Sequence, residues 1–232
     1  MITRETAYAA AMVSGEEEYP QEDPDPQTLD IRGSVTSPFE TLSERLTFPE
    51  EEARLVGEGT ASTEAYEAYL RGRYFWNQRT EQSIRAAITE FQRAVDLDSN
   101  YAEAYSGLAD SYLILDNFVF RTMPDYRTNS ELGLAAAQRA TSLRPDLGMA
   151  HASLGFGLWM VGDWENAVRE LERAIALNPG YATGHMWRAW VLASTGRAGE
   201  AVSSAQRALE LDPVSRVISL VLGEVLLFAT QM

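Results

Sequence analysis

From Gly148 onward the apolar positions recur at three- and four-residue steps, the spacing of helices that each bury one face. Leu154, Gly155 and Leu158 share a face of one predicted helix, and Ala167, Leu171 and Ala174 share a face of the next. Between them Gly162 can take the left-handed conformation that closes a helix, and Asp163 is placed to cap the one that follows. Asn178-Pro179 ends the second helix, because the residue before proline is pushed out of the helical region. The pattern is then written again without a gap. A shift of 34 positions lays His151 on His185, Leu158 on Leu192, Gly162 on Gly196, Ala167 on Ala201, Val168 on Val202, Arg173 on Arg207, Ala174 on Ala208, Leu177 on Leu211 and Pro179 on Pro213. Alanine or glycine at the contact positions lets two helix backbones approach closely. Each pair still leaves an apolar face that only a neighbouring pair can cover, so the pattern predicts an all-α array.

Less regular copies precede these two. Ala61 to Asn77 reads as a first helix and Ser83 to Leu97 as its partner, with Ala87, Phe91 and Ala94 at small-large-small places. The turn between them is expected to hold about three residues more than in the clean copies. A second unit opens at Ala102, carries Tyr105, Leu108, Ala109 and Tyr112, and closes at Leu143-Arg144-Pro145. It has about twelve extra residues around Asp116 to Asn129, either a longer first helix or a loop folded over the array. Arg216 to Met232 starts a fifth unit with Leu222, Gly223 and Leu226 in register. The expected units are thus 61–101, 102–147, 148–181 and 182–215, with a half unit at 216–232, inside an array spanning 49–232. Short helices are expected at Thr41 to Leu46 and Pro49 to Val56.

A 34-residue period with small residues at fixed places and a proline near its end is the signature of the tetratricopeptide repeat (TPR). The chain resembles that family. The resemblance implies an all-α, right-handed TPR solenoid of antiparallel helix pairs, about four repeats plus one unpaired C-terminal helix. The stretch EAYEAYLRGRYFWNQRTEQSIRAAITEFQRAVDLDSNYAEAYSGLADSY, Glu64 to Tyr112, is further similar to the repeat region at the C-terminal end of bacterial regulators. In those proteins it follows a TolB-like segment with a winged-helix, adenylate cyclase or protein kinase domain. That likeness covers about Thr41 to Met232, and no kinase glycine-rich loop, His-Arg-Asp motif or winged-helix pattern accompanies it. The chain therefore resembles the interaction part alone, as an independent protein or as a piece of a longer reading frame.

What the family does sets the functional expectation: a non-catalytic protein-protein interaction scaffold that binds a peptide or protein segment in its concave groove. The alternatives are a regulatory or sensory module of a bacterial signalling protein whose output domain lies elsewhere, and a spacer that only oligomerises. By the family's geometry, the groove-facing places fall on Tyr66, Tyr69, Arg73, Trp76, Asp110, Phe156, Trp159, Met160, Met186, Trp190 and Glu224. Aromatic residues and arginine anchor interfaces and methionine adapts to varied partners, so an apolar or aromatic-bearing segment is the expected ligand. The alternative for Phe156, Trp159 and Trp190 is that they fill space between units. The family's lysine and asparagine clamp for a terminal carboxylate has no counterpart here, which disfavours chaperone-tail binding.

Charge changes the picture at the other end of the chain. Met1 to about Phe48 is acidic and rich in proline, as in Glu16-Glu17-Glu18 and Tyr19-Pro-Gln-Glu-Asp-Pro-Asp-Pro. Such a segment cannot bury enough apolar surface to order itself. Met1 to Thr60 holds fourteen acidic against four arginine residues, most of the net charge of -15. Acidity of that size disfavours a general affinity for nucleic acid or an anionic membrane surface, so neither is an expected partner. With no convincing signal peptide at Ala7 to Val13 and no membrane-length apolar run, a cytoplasmic location is expected. Cysteine is absent, so disulfides and cysteine metal sites are excluded. Arg216 to Met232 is apolar nearly all round and is the expected site of self-association or fraying.

Little else suggests chemistry. His151 and His185 occupy one repeat position and have no carboxylate three or four residues away, so they are expected to pack between helices rather than hold a metal. Gly155-x-Gly157 lies inside a helix and follows no strand, unlike a dinucleotide fingerprint. No triad, P-loop, EF-hand or zincin motif occurs, so neither enzyme activity nor a cofactor is expected.

Overall fold

The computed structural model describes residues 59–118 and 126–230. These all fall in the second of two compact units, Glu50–Met232. The acidic segment 1–48 and the short helices expected around Thr41 and Pro49 lie outside the described residues. Among the described residues the chain is helical with no strand: α1 (Thr63–Gln78), α2 (Glu81–Leu97), α3 (Ala102–Phe118), α4 (Tyr126–Leu143), α5 (Gly148–Met160), α6 (Trp164–Leu177), α7 (Ala182–Ser194), α8 (Ala198–Leu211) and α9 (Arg216–Thr230).

Local sequence sets these boundaries. Ser62 caps α1 by accepting from the Ala65 amide, and Asp163 caps α6 by accepting from Asn166. Thr80 and Ser83 form a reciprocal capping box on α2. Gly162 (φ 88) and Gly196 (φ 78) provide the left-handed turns after α5 and α7, as the repeat requires. The turn after α1 differs. Where three extra residues are expected in the connection, α1 instead runs 16 residues against 13 for α5, and only Arg79 and Thr80 separate it from α2. Arg79 closes the helix with φ 56, the only non-glycine at positive φ among the described residues. The extra residues of the second unit are likewise spent in part on helix, since α3 is 17 residues long.

Each odd helix packs on the even helix after it, and each even helix on the next odd one. Odd helices also touch along the array, α1 on α3, α3 on α5, α5 on α7 and α7 on α9, whereas among the described residues no even helix touches another. The odd helices thus crowd together on the inner side of the stack. Close approach depends on missing side chains. Phe91 of α2 fills the space between Gly72 of α1 and Gly107 of α3, where an added Cβ would come within 2.6 and 2.5 Å of its ring. The core is otherwise alanine-rich on the even helices and larger on the odd ones, with Leu113, Phe156, Trp187 and Val221 fully buried.

Candidate functional site

Two adjoining cavities open on the inner side, and both are lined only from odd helices and the turns beside them. The first, ≈ 660 Å³, lies between the end of α1 (Arg73, Trp76, Arg79) and the start of α9, with Thr183 and Met186 of α7. The second, ≈ 540 Å³, is walled by Trp159 of α5, Trp187 and Trp190 of α7, and Leu220, Glu224 and Phe228 of α9. Arg79, Met186 and Val217 line both, so the two form one continuous trough.

The apolar wall is built from repeat-related contacts. Trp159 donates its indole N–H to Ser194 Oγ at 2.8 Å, and Trp190 donates to Glu224 Oε2 at 3.0 Å. Each bond joins an odd helix to the next odd helix, so each indole is held edge-on by its neighbour. Behind them Phe156 stacks on Trp187 (centroids 4.8 Å, interplanar 9°), on Trp159 (5.4 Å) and on Trp190 (6.0 Å). Phe156 is itself fully buried and reaches neither cavity. Trp159 and Trp190 are half-buried and reach the second, so each both packs and lines.

The other wall is polar and incompletely paired. The Arg79 guanidinium lies 3.4 Å from the centre of the Trp76 ring, and that of Arg73 lies 4.9 Å from it. Burial pulls the Arg79 pKa down to about 10. Asp110 sits behind them, fully buried, and accepts from Ser153 Oγ at 2.5 Å. Burial pushes its carboxyl up to about 7, against the opposing pull of Ser153 and the two arginines. The Trp76 indole N–H and Asp110 Oδ2 are buried without a hydrogen-bond partner, and the Arg73 guanidinium lies beside the Tyr181 hydroxyl. Such groups are costly to leave unmet and rare in a finished core.

Of the residues expected in the groove, Arg73, Trp76 and Met186 line the first cavity, and Trp159, Met186, Trp190 and Glu224 the second. Tyr66, Tyr69 and Met160 pack against the core away from both cavities, and Phe156 and Asp110 lie beneath them. Sequence reasoning missed Arg79, Ile114, Trp187, Leu220 and Phe228. Arg79 lies in the turn beyond the last groove place on α1, and Leu220 and Phe228 belong to the helix whose apolar excess pointed elsewhere. Both histidines pack between helices as expected, and each also makes a specific bond. His151 Nε2 donates to the Pro145 carbonyl and His185 Nε2 to the Pro179 carbonyl, at 2.9 and 3.0 Å, tying each proline turn to the next unit. A carboxylate does orient His151, but it comes from the neighbouring helix, Glu170 Oε2 at 2.6 Å from Nδ1. Among the described residues no group of three metal-binding side chains occurs, and no helix is long and apolar enough to cross a membrane.

Residues 157–216 match the tetratricopeptide repeat family. The fold is that of a TPR solenoid. It is similar to a thermophilic TPR protein of Thermus thermophilus, with a TM-score of 0.58 at 20% identity, over 71% of this chain and 82% of that one. It is also similar to a human IFIT1 dimer with m7Gppp-AAAA, with a TM-score of 0.55 at 21% identity, over 63% of this chain and 32% of that one. A comparison with curated proteins finds no match.

Proposed function

We propose that the inner trough binds an apolar, aromatic-bearing segment of another protein, making this TPR array a non-catalytic interaction scaffold. A TPR-like fold supports protein-protein interaction in general. The observation that carries the finer reading is the second cavity, where Trp159, Trp190, Leu220 and Phe228 present apolar surface to solvent around a concave space. Apolar concavities with a few oriented polar groups are where ligands lodge, and aromatic anchors supply most of the energy of such interfaces. Both indole N–H groups are already bonded within the array, so the rings are fixed in place before a partner arrives and lose little freedom on binding.

Trp190→Ala tests the reading. Affinity for a bound segment is expected to fall by roughly 2 kcal/mol or more, with thermal stability reduced less. Trp159→Ala is expected to behave alike. If both variants melt early while the folded fraction binds a partner unchanged, these rings serve packing alone and the groove assignment fails.

A further inference from the structure

The polar end of the trough carries more information than the apolar end. In a chain of net charge -15, Arg73, Arg79 and Arg216 line one cavity against a single carboxylate, Asp212. Six other arginines of the array find carboxylates: Arg71, Arg85, Arg144, Arg188, Arg197 and Arg207. Arg73 and Arg79 pair with no carboxylate among the described residues, and Arg73 has the neutral Tyr181 hydroxyl beside it instead. Asp110 behind them is bound to Ser153 and is no substitute for a surface counter-charge. Backbone conformation points the same way. Arg79 occupies the left-handed turn position that the later units give to Gly162 and Gly196. A non-glycine there is strained, and strain of this kind gathers at functional sites. Without its side chain the turn would be easier to make; with it, a guanidinium stands on Trp76 at the junction of the two cavities.

We infer that Arg73 and Arg79, backed by Trp76, form an anionic subsite that takes the carboxylate of an acidic side chain in the bound segment. The inference rests on the groove reading above and adds the chemistry of the partner: an extended peptide with an acidic residue beside an apolar or aromatic one. A side chain is specified rather than a chain terminus because Arg79 borders both cavities, so a segment filling the apolar one must continue past it. Guanidinium and carboxylate make charge-assisted, two-pronged hydrogen bonds, and both arginines line the cavity such a carboxylate would enter.

The test uses the full chain and random peptides, displayed between fixed flanks and separately with an exposed C-terminus, with selected peptides then synthesised with both blocked and free ends. The selected peptides are expected to pair aspartate or glutamate with a neighbouring aromatic residue. Glutamate→Gln in the peptide, and separately Arg79→Gly or Arg73→Gln in the protein, are each expected to weaken binding about tenfold. Combining the peptide and protein changes should cost little more than either alone, since both remove one contact. Arg79→Gly should fold at least as well as the parent, because glycine relieves the turn, so a loss of binding there is not a loss of structure. Apolar peptides without acidic residues, bound equally by the parent and Arg79→Gly yet lost in Trp190→Ala, would overturn the subsite and leave the groove standing. Peptides that bind only with a free C-terminal carboxylate would overturn the side-chain assignment. Failure to select any peptide, or binding indifferent to Trp159→Ala and Trp190→Ala, would overturn groove and subsite together.

Discussion

Helices α5 and α9 hold the same repeat position with the same residue, and the residue does different work in each. Gly155 and Gly223 lie 68 positions apart, two repeat lengths. A Cβ on Gly155 would stand 2.7 Å from Leu171 Cγ and 2.9 Å from the Ala167 carbonyl, because α6 is folded directly against it. A Cβ on Gly223 would meet nothing within 4 Å. The small residue is demanded by the second helix of a pair and not by the odd helix that carries it. The rest of α9 agrees. Only Ile218, Val221 and Val225 are buried there, while Leu220, Leu227 and Phe228 are 62%, 63% and 57% exposed.

The comparison is broken most forcefully at Gly155. Gly155→Leu places a side chain where α6 already stands and should cost about 3 kcal/mol or more, read as a lower denaturation midpoint with unchanged slope. A midpoint close to the parent would mean that α5 and α6 can separate at little expense.

A second effect, of smaller size, concerns Asp110. Its folded-state pKa of about 7 lies above the ordinary aspartate value, so the folded protein holds the proton more tightly than the unfolded one. The contribution to stability is fully present below the unfolded pKa near 4 and is lost as the pH rises through about 7. Asp110→Asn cannot titrate and should escape that loss. Its stability relative to the parent is expected to rise by on the order of 2 kcal/mol between acid and mildly alkaline solution, measured by paired urea melts across pH. A constant difference would show that Ser153 and the arginines keep the carboxylate charged throughout.

The gentlest change sharpens the comparison from the open side. Gly223→Ala should stabilise α9 by up to about 1 kcal/mol, since alanine is the better helix former and has room. Hydrogen exchange is the measurement of choice, because among the described helices α9 packs only on α7 and α8 and should open at lower free energy than α5. Slower exchange confined to α9 is the expected outcome. If parent α9 is already as protected as α5, its exposed leucines are covered by self-association, which light scattering would reveal.

The repeat period carried most of the fold in plain view, since turns, caps and small contact residues recur at fixed places. It failed at the connection after α1: the helix ends at Gln78, close to the expected Asn77, but Thr80 and Ser83 cap the next helix early enough for it to begin at Glu81, so only Arg79 and Thr80 are left of the longer turn. Arg79 escaped the groove reading because it lies in that turn, beyond Trp76, the last groove place on α1. Glu170 beside His151 was invisible for another reason, because its approach depends on how two helices cross and not on spacing within either. Phe156 was ambiguous in the sequence because stacking on a tryptophan and facing a groove call for the same residue type.

The ring stack has one more property. Three indoles, Trp159, Trp187 and Trp190, share a single phenyl ring, and all three border the trough. Chromophores so close exchange excitation, and their combined transitions respond to whatever touches any one of them. The near-ultraviolet dichroism and emission of this protein should therefore be dominated by one patch of its surface, and an arriving segment would announce itself without a label.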